Sequence, residues 1–504
     1  MYKSLKDLLD YIDSHTYTYT IQHSDGKNGI VESEFVYIPP FKTAGFPDSM
    51  VAKGFKNGVV LGNVSIAKYP MSHPLATETS KGGADGANWG GSYAAVSQPR
   101  KCAWTYVSWD EAKAACERMA INNAVSGTTT GAGGVDYLVD SNWQSKLIGK
   151  KIEITVDGIT YYRRIITIDG ANDKIIFWPP LPYGLTTNLT GNNNDLRYIR
   201  KNSATNYIQI EYVYGGASGT MSVARTGSGT SDDPYKITVT FYDDDNLASS
   251  VISKIRANAD CNAIVHVENA PGNDGSGAIA AMSATSLAYF TVSSGAIYTV
   301  KRFVLMDPYD WATLKYLTAM RYAVNGIPYP KGNNYYGRDV NDADELQNYG
   351  LPDPDYDDGS HDICKVLTGT GPLSWYHNGQ ANGIWGLNGN IWEWILCQMG
   401  NTEDYVIGAG FMGEGYTMPS SNGYWAEMEI AGDCGIGELA IIKGTPAGAG
   451  DADFDHCYYW QNTGLRAFRV GGYWGCGACA GVFGLCARYA PSDRGASIGF
   501  RASL

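Results

Sequence analysis

Hydrophobic and polar residues take helical spacing at a few well-marked places in this chain and alternate, strand-like, through its middle. Leu5, Leu8, Leu9 and Ile12 lie on one helical face, and a polar Thr/Tyr-rich strand follows. Phe35-Val36-Tyr37-Ile38, ahead of Pro39-Pro40-Phe41, reads as a strand ended by prolines. Ser108-Trp109-Asp110-Glu111 is a capping box, in which the Ser108 hydroxyl accepts from the Glu111 N–H and the Glu111 carboxylate reaches back. Ala112, Ala115, Cys116, Met119 and Ala120 then share a face, which predicts a helix over about 109–120. Asp307-Pro308-Tyr309-Asp310 is a second helix start, with an Asp cap and proline at the first position; Trp311, Leu314 and Leu317 supply its apolar side.

Residues 123–301 differ in composition. They open with Ser126-Gly127-Thr128-Thr129-Thr130-Gly131-Ala132-Gly133-Gly134, a flexible linker by composition. Ile152-Glu153-Ile154-Thr155-Val156 turns through Asp157-Gly158 into 159–168, a hairpin signal. Further strands are predicted at Tyr207–Tyr214, Lys236–Tyr242, Ala263–Val267 and Tyr289–Val292. This stretch reads as an inserted all-β region of one or two small domains, set in a surface loop of a host formed by 35–122 and 302–504. Residues 1–34 are either a leader that attaches the chain to a larger assembly or the host's first strand.

Composition narrows the function. Charged residues make up 18% of the 504, while Gly (61) and Tyr (36) are abundant, as in a β- and loop-rich protein with a tyrosine-decorated surface. A net charge of −13 argues against nucleic acid as a partner, since no basic excess exists to release counterions. No apolar run is long enough for membrane insertion. The opening MYKSLKDLLDYIDSHTYTYT lacks the layout of a signal peptide, which predicts folding in the cytoplasm where the chain is made. Four of the ten cysteines, Cys457, Cys476, Cys479 and Cys486, crowd near the end, and their spacing is no disulfide framework.

Several strings then occur in a telling order: Val36-Tyr37-Ile38-Pro39-Pro40-Phe41, Ala67-Lys68-Tyr69-Pro70, Trp104 to Ala112, Phe303 to Trp311, Gly386-Leu387-Asn388-Gly389-Asn390-Ile391-Trp392-Glu393-Trp394, Arg469-Val470-Gly471-Gly472 and Ile498-Gly499-Phe500-Arg501. The succession resembles the formylglycine-generating-enzyme branch of the C-type lectin fold over 35–122 and 302–504. The resemblance implies an α+β fold, a C-type-lectin-like domain carrying the inserted all-β region. Within that branch, Gly471-Gly472-Tyr473-Trp474, Ala480-Gly481-Val482-Phe483, Ala490-Pro491-Ser492 and the Gly-Phe-Arg ending are similar to variable proteins of diversity-generating retroelements, especially those on phage tails.

In such proteins a fixed scaffold alternates with positions templated as Asn and mutated at adenines. The resemblance places the variable region at about 453–501. It makes Tyr473, Gly475, Cys476, Cys479, Cys486, Arg488, Tyr489, Asp493, Gly495 and Ser497 the ligand-binding positions, with Asp455 and His456 as lesser candidates. An Asn codon randomised only at its adenines cannot yield Lys, Glu, Gln, Met or Trp, and none of these occurs among the ten. Cysteine is within its reach, which accounts for the crowding. Trp392, Trp394, Trp474, Phe483 and Phe500 are then scaffold, buried beneath the contacts. Tyr offers rigid contact area at low entropic cost, and Gly, Ser and Asp adapt.

Formylglycine-generating enzymes keep two catalytic cysteines in this segment, with copper in several members. Cys476 falls at the first, but Gly481 stands near the second; Cys479 makes a Cys-x-x-Cys pair with no second pair to complete a tetrahedral metal site. Calcium-lectin triplets are absent, and Asp353, Asp355 and Asp357 before Gly359 lack a bidentate Glu at the right distance, so they read as a solvated acidic turn, as do Asp243-Asp244-Asp245. Phosphate-cradling loops, His-Glu-x-x-His and Gly-x-Ser-x-Gly are absent too. The expected function is a diversified receptor-binding protein without catalysis, metal or cofactor, on a phage or prophage tail. Its expected partners are a bacterial surface protein or glycan and other virion proteins, with a homotrimer as one assembly. A cellular variable surface protein and a cysteine-oxidising enzyme are the alternatives.

Overall fold

The computed structural model describes residues 4–52, 55–82, 92–120, 124–145, 150–178, 180–201, 204–326, 330–340, 349–354, 363–399, 423–424, 458–460, 466–477 and 480–504. Among them the fold is α+β, mostly strands with a few helices.

Two sheets frame the host. The first has strand order Tyr17–Ser24, Ile30–Ile38, Val64–Ala67, Ala502–Ser503, Val304–Leu305, with antiparallel neighbours. The second runs Gly423–Tyr424, Tyr458–Trp460, Gly481–Ala487, Arg466–Gly471, Trp392–Met399, Ile498–Phe500. Ile498–Phe500 pairs in parallel with Trp392–Met399, and two residues later Ala502–Ser503 crosses into the first sheet, so the last strands knit the two together. Between the sheets lies a core that includes Phe35, Trp104, Trp109, Phe303, Trp394 and Phe500.

The helix Pro308–Asn325 starts as its sequence predicts. The Asp307 carboxylate accepts from the Asp310 N–H at 2.9 Å, and the Asp310 carboxylate from the Asp307 N–H at 3.0 Å. It ends at Gly326 in the left-handed region, where glycine has no Cβ penalty. The Ser108 capping box also forms, and its helix spans Trp109–Glu117. The leader reading of 1–34 is corrected: in the helix Leu5–His15, Leu8 and Ile12 are fully buried in one core with Val36, Ile66, Trp311 and Leu314. The Tyr17–Ser24 strand pairs along its whole length with Ile30–Ile38. Arg321 pairs with Asp13, tying this helix to Pro308–Asn325. Residues 5–24 therefore pack as part of the host, the helix's apolar face set in its core and the strand paired with Ile30–Ile38.

Residues 124–301 hold three sheets around two cores. The six-stranded one runs Ala124–Thr128, Ile297–Lys301, Lys151–Val156, Ile159–Asp169, Lys174–Trp178, Tyr137–Val139. The Asp157-Gly158 turn has positive φ at both residues (49° and 77°), the geometry that suits the right-handed twist of a hairpin. The supposed linker is partly strand: Ala124–Thr128 pairs with Ile297–Lys301, so chain entry and exit lie side by side. The all-β expectation is corrected as well. Helices Ala248–Ala257 and Ala259–Asn262 lie in this region, with Val251 and Ile255 buried in the same core as Ile237 and Val239. One strand pair, Ile208–Tyr214 with Tyr235–Phe241, is parallel.

The insert is held to the host by buried charge. Lys151 and Arg164, on neighbouring strands of the six-stranded sheet, both reach the Asp307 and Asp310 carboxylates at the start of Pro308–Asn325. Burial works against the Asp310 charge, yet Arg164 and Lys151 together hold its carboxyl below the usual range. Lys301 adds bonds to Glu117 at 2.8 Å and Glu153 at 2.5 Å.

Candidate functional site

The second host sheet carries the segment 466–504, and the loop 386–390 sets its shape. Gly389 has φ 74°, and a Cβ there would lie 2.2 Å from the Asn333 carbonyl oxygen. The Asn390 side chain, 1% exposed, accepts from the Val366 N–H at 2.8 Å and from the Asn333 amide at 3.0 Å. The Gly389 N–H donates to the Gly471 carbonyl at 2.8 Å, so this loop and Gly471-Gly472 brace each other. Gly472 (φ 84°) has no room for a side chain, since a Cβ would fall 2.4 Å from that of Ala480.

The expected scaffold residues are all buried, at 6% exposure or less: Trp392, Trp394, Trp474, Phe483 and Phe500. The Trp394 indole donates to the Val107 carbonyl at 2.9 Å. Trp474 packs with Ala103, Cys364 and Ile391. Phe483 meets Phe55 edge-on at 5.9 Å, and Phe500 meets Trp104 at 5.6 Å.

Of the expected contact positions, Arg488 is exposed, and Tyr473, Gly475, Cys476, Tyr489, Asp493, Gly495 and Ser497 are half-buried. Cys486 departs from the expectation that these side chains face outward. It is 4% exposed, on the strand Gly481–Ala487 opposite Arg469, in the same core as Trp394 and Phe500. Successive side chains of a strand point to opposite faces; here both faces are covered, Leu485 and Ala487 facing one core and Cys486 the other. Cys479, Asp455 and His456 lie outside the described residues, as do Asp355, Asp357 and Gly359. Asp353 is buried near Lys365, at 3.6 Å. Asp243 bonds the Tyr214 hydroxyl, Asp244 the Ser218 hydroxyl and Gly219 N–H, and Asp245 the Met221 N–H, so this acidic run closes a loop of the insert.

Cys476, Arg469 and Tyr489 gather around Tyr473. Burial raises the Tyr473 phenol above its ordinary pKa, and Cys476, Tyr336, Arg469 and Tyr489 all lie close enough to act on it. The Arg469 guanidinium sits 4.0 Å from the Tyr489 ring centre and 4.7 Å from that of Trp392. Arg488 lies over the other part of this surface, 5.9 Å from Tyr489. Asp493, Gly495 and Ser497 belong to a loop pinned by its backbone: the Asp493 carboxylate accepts from Ala490 N–H, the Gly495 carbonyl from Tyr106 N–H, and the Ser497 carbonyl from Trp392 N–H. Arg494 forks onto Glu111, the capping-box carboxylate, at 2.8 and 2.5 Å, anchoring the same loop to the helix Trp109–Glu117.

A neighbouring loop enlarges the face in a way the sequence reasoning missed. The Tyr336 N–H donates to the Trp474 carbonyl at 2.8 Å, and the Gly477 N–H to the Asn334 carbonyl at 2.8 Å. Tyr335, Tyr336 and Arg338 are thereby set beside Tyr473-Trp474, with Arg338 4.9 Å from the Tyr335 ring centre. The run Asn333-Asn334-Tyr335-Tyr336-Gly337-Arg338 carried a signal, adjacent tyrosines between turn formers, but not its distance from 473 in space.

The described cysteines, Cys476 and Cys486 among them, form no disulfide. Among the described residues no group of three or more His, Cys, Asp or Glu is placed to hold a metal ion, and no helix is long and apolar enough to cross a membrane. In comparison with known proteins, the chain matches no family profile and no curated protein.

Proposed function

We propose that this chain is a diversified receptor-binding protein that uses a C-type-lectin-like domain, of the formylglycine-generating-enzyme type, to present the face around Tyr473 and Tyr489. The observation that carries this reading is the division of labour in 466–504: the large scaffold rings are buried, while Arg488 is exposed and Tyr473, Tyr489, Asp493 and Ser497 are partly exposed on a braced frame. A surface that changes partner without unfolding needs that separation. The order of the host strings along the chain, and the buried Arg501–Glu393 ion pair that joins two of them, support the lectin-like assignment. The absence of a thiol at Gly481 weighs against the oxidase alternative.

In biological terms the protein acts on a phage or prophage tail, adsorbing to a bacterial surface protein or glycan, with other virion proteins as its attachment partners. A trimeric assembly would add avidity to a weak single site. The test is to sequence the codons of 453–501 across many isolates, with the flanking DNA. Substitutions concentrated at Tyr473, Cys476, Arg488 and Tyr489, beside a near-identical template copy with adenines there, would support the reading. An invariant segment with Cys476 and Cys479 fixed would overturn it.

A further inference from the structure

Two tyrosines beside the candidate face hold a backbone conformation that tyrosine avoids. Among the described residues eight non-glycine positions have positive φ, and five of them are Asn or Asp, the types that tolerate it. The others are Arg100, Tyr106 (φ 58°) and Tyr336 (φ 46°). Arg100 uses its side chain in an ion pair with Glu78. Tyr106 is 44% exposed, between the buried Thr105 and Val107, and its N–H donates to the Gly495 carbonyl at 3.0 Å. Tyr336 and Gly337 are the centre of a tight turn closed by Tyr335 and Arg338; both have positive φ, and Asn-Gly is the favoured pair at such a place. The Tyr336 N–H is the one that donates to the Trp474 carbonyl. These backbone bonds account for the conformations but not for the side chains, since an Asn would supply the same N–H with less strain.

We propose that Tyr106 and the Tyr335-Tyr336 turn are fixed contact residues of the binding face, outside the diversified 453–501, and that they dock on a folded protein. This rests on the reading that the face around Tyr473 and Tyr489 binds the receptor. A strained residue kept at an exposed place points to function rather than stability. The turn is also preorganised. Tyr336 stands edge-on to Tyr335 at 5.5 Å and Arg338 lies 4.9 Å from the Tyr335 ring centre, so Tyr335, 40% exposed, has little freedom left to lose on binding. Tyr336, Tyr473 and Ala496 pack against one buried cluster that includes Trp474, so the fixed places adjoin the variable ones. The chemistry favours a protein over a glycan. The Gly350 N–H donates to the Gly337 carbonyl at 3.2 Å, which brings Tyr349 and Leu351, both exposed, beside the turn. Tyrosine with leucine supplies the apolar centre on which protein interfaces are built. The fixed tyrosines serve every partner, while Tyr473, Arg488 and Tyr489 choose among them.

The test uses the full chain in ribosome display, randomised at Tyr473, Cys476, Arg488, Tyr489, Asp493 and Ser497. Selection is against lysozyme, serum albumin and streptavidin, with dextran as the glycan control. For each selected binder, dissociation constants are measured before and after Tyr106→Asn and Tyr335→Ser. We expect binders of the proteins to weaken about tenfold or more with each substitution, as truncating a central interface tyrosine does. Tyr106→Phe, which keeps the ring, should stay within about threefold. Tyr106→Asn should at the same time leave the urea midpoint unchanged or raised, because Asn tolerates that φ, whereas a merely structural tyrosine would lower it. A loss smaller than about threefold from either substitution would overturn the proposal. So would a loss from Tyr106→Asn that comes with a lowered midpoint, or a dependence on these tyrosines confined to dextran binders. In those cases binders exist and only the fixed contacts fail; if the folded library yields no binder to any target, the receptor-binding reading fails with them.

Discussion

Arg501 grips Glu393 in a fully buried fork, Nε to one carboxylate oxygen at 2.9 Å and Nη2 to the other at 2.6 Å. The same guanidinium donates to the carbonyls of Ala67 at 2.8 Å and Trp385 at 2.9 Å. One side chain near the end of the chain thus joins the first sheet, the second sheet and Trp385, which leads into the 386–390 loop. Burial pushes the Glu393 carboxyl up against the lowering pull of Arg501, so the pair's net contribution is smaller than its geometry suggests. Breaking it is another matter. Arg501→Met should cost about 3–5 kcal/mol, because Glu393 is left charged and unpaired in the core. The paired change Arg501→Met with Glu393→Leu should recover most of that loss. Urea denaturation of the single and double variants measures both.

The junction between insert and host makes a second expectation. Asp310 serves the helix cap and the two buried cations Lys151 and Arg164 at once. Asp310→Ala should therefore lose more than a cap, which alone is worth about 1 kcal/mol; stranding buried charge adds about 3 kcal/mol or more. Glu78, an exposed partner of Arg100, is the control, and Glu78→Ala should change stability by less than about 1 kcal/mol. Limited proteolysis at the insert boundaries, with denaturation midpoints, distinguishes undocking of the insert from global loss.

Acid sensitivity follows from buried histidines. Burial, helped by Lys101, lowers the His73 pKa to about 4, and His377 is held well below its ordinary value by burial and Arg321. His73 Nδ1 accepts from the Leu75 N–H at 3.2 Å, and His377 Nδ1 from the Ile384 N–H at 2.8 Å, roles that suit neutral rings. The unfolded chain takes up these protons near pH 6.5, while folded His73 resists until about pH 4. The neutral form's contribution is complete above pH 6.5 and is lost as pH falls through that window, by up to about 3 kcal/mol for His73. Denaturation midpoints should drop between pH 7 and pH 4.5, and His73→Gln should make the drop shallower. A pH-independent midpoint would refute this.

How far the sequence foretold the structure depends on whether the deciding forces are local. Both capping boxes and the Asp157-Gly158 hairpin form as read, because each is settled within four residues by hydrogen bonds or by φ. Ala248, Val251 and Ile255 also stood at helical spacing, but the strand-rich surroundings hid the helix they make. The glycine-rich 126–134 stretch looked like a linker because composition does not show a pairing partner; Ile297–Lys301 lies far away in sequence. The burial of Trp392, Trp394, Trp474, Phe483 and Phe500 was expected from the family resemblance and not from any local pattern, since the strand Gly481–Ala487 is buried on both sides. The Tyr335-Tyr336-Arg338 addition was not expected, since it depends on which loops are neighbours in space.

Cys476 and Cys486 give the most direct test of the division between scaffold and contact positions, because the same substitution should have opposite effects at the two. Cys476 is half-buried at the rim beside Tyr473, whereas Cys486 is enclosed in the inter-sheet core with its thiol against Arg469. A tyrosine at Cys476, a position already partly exposed, should change stability by no more than about 0.5 kcal/mol. A tyrosine at Cys486 must displace packed neighbours and should cost about 1–3 kcal/mol or more. Phe483→Ala, a scaffold truncation, should cost about 3–5 kcal/mol, and Arg488→Ala almost nothing. Chemical denaturation ranks the four variants. If Cys486→Tyr proves as harmless as Cys476→Tyr, the inward assignment of Cys486 is wrong and it returns to the set of contact positions. If it is damaging, natural variants of this segment should carry only small residues at 486 while 476 ranges widely, a pattern readable in the same sequences that test diversification.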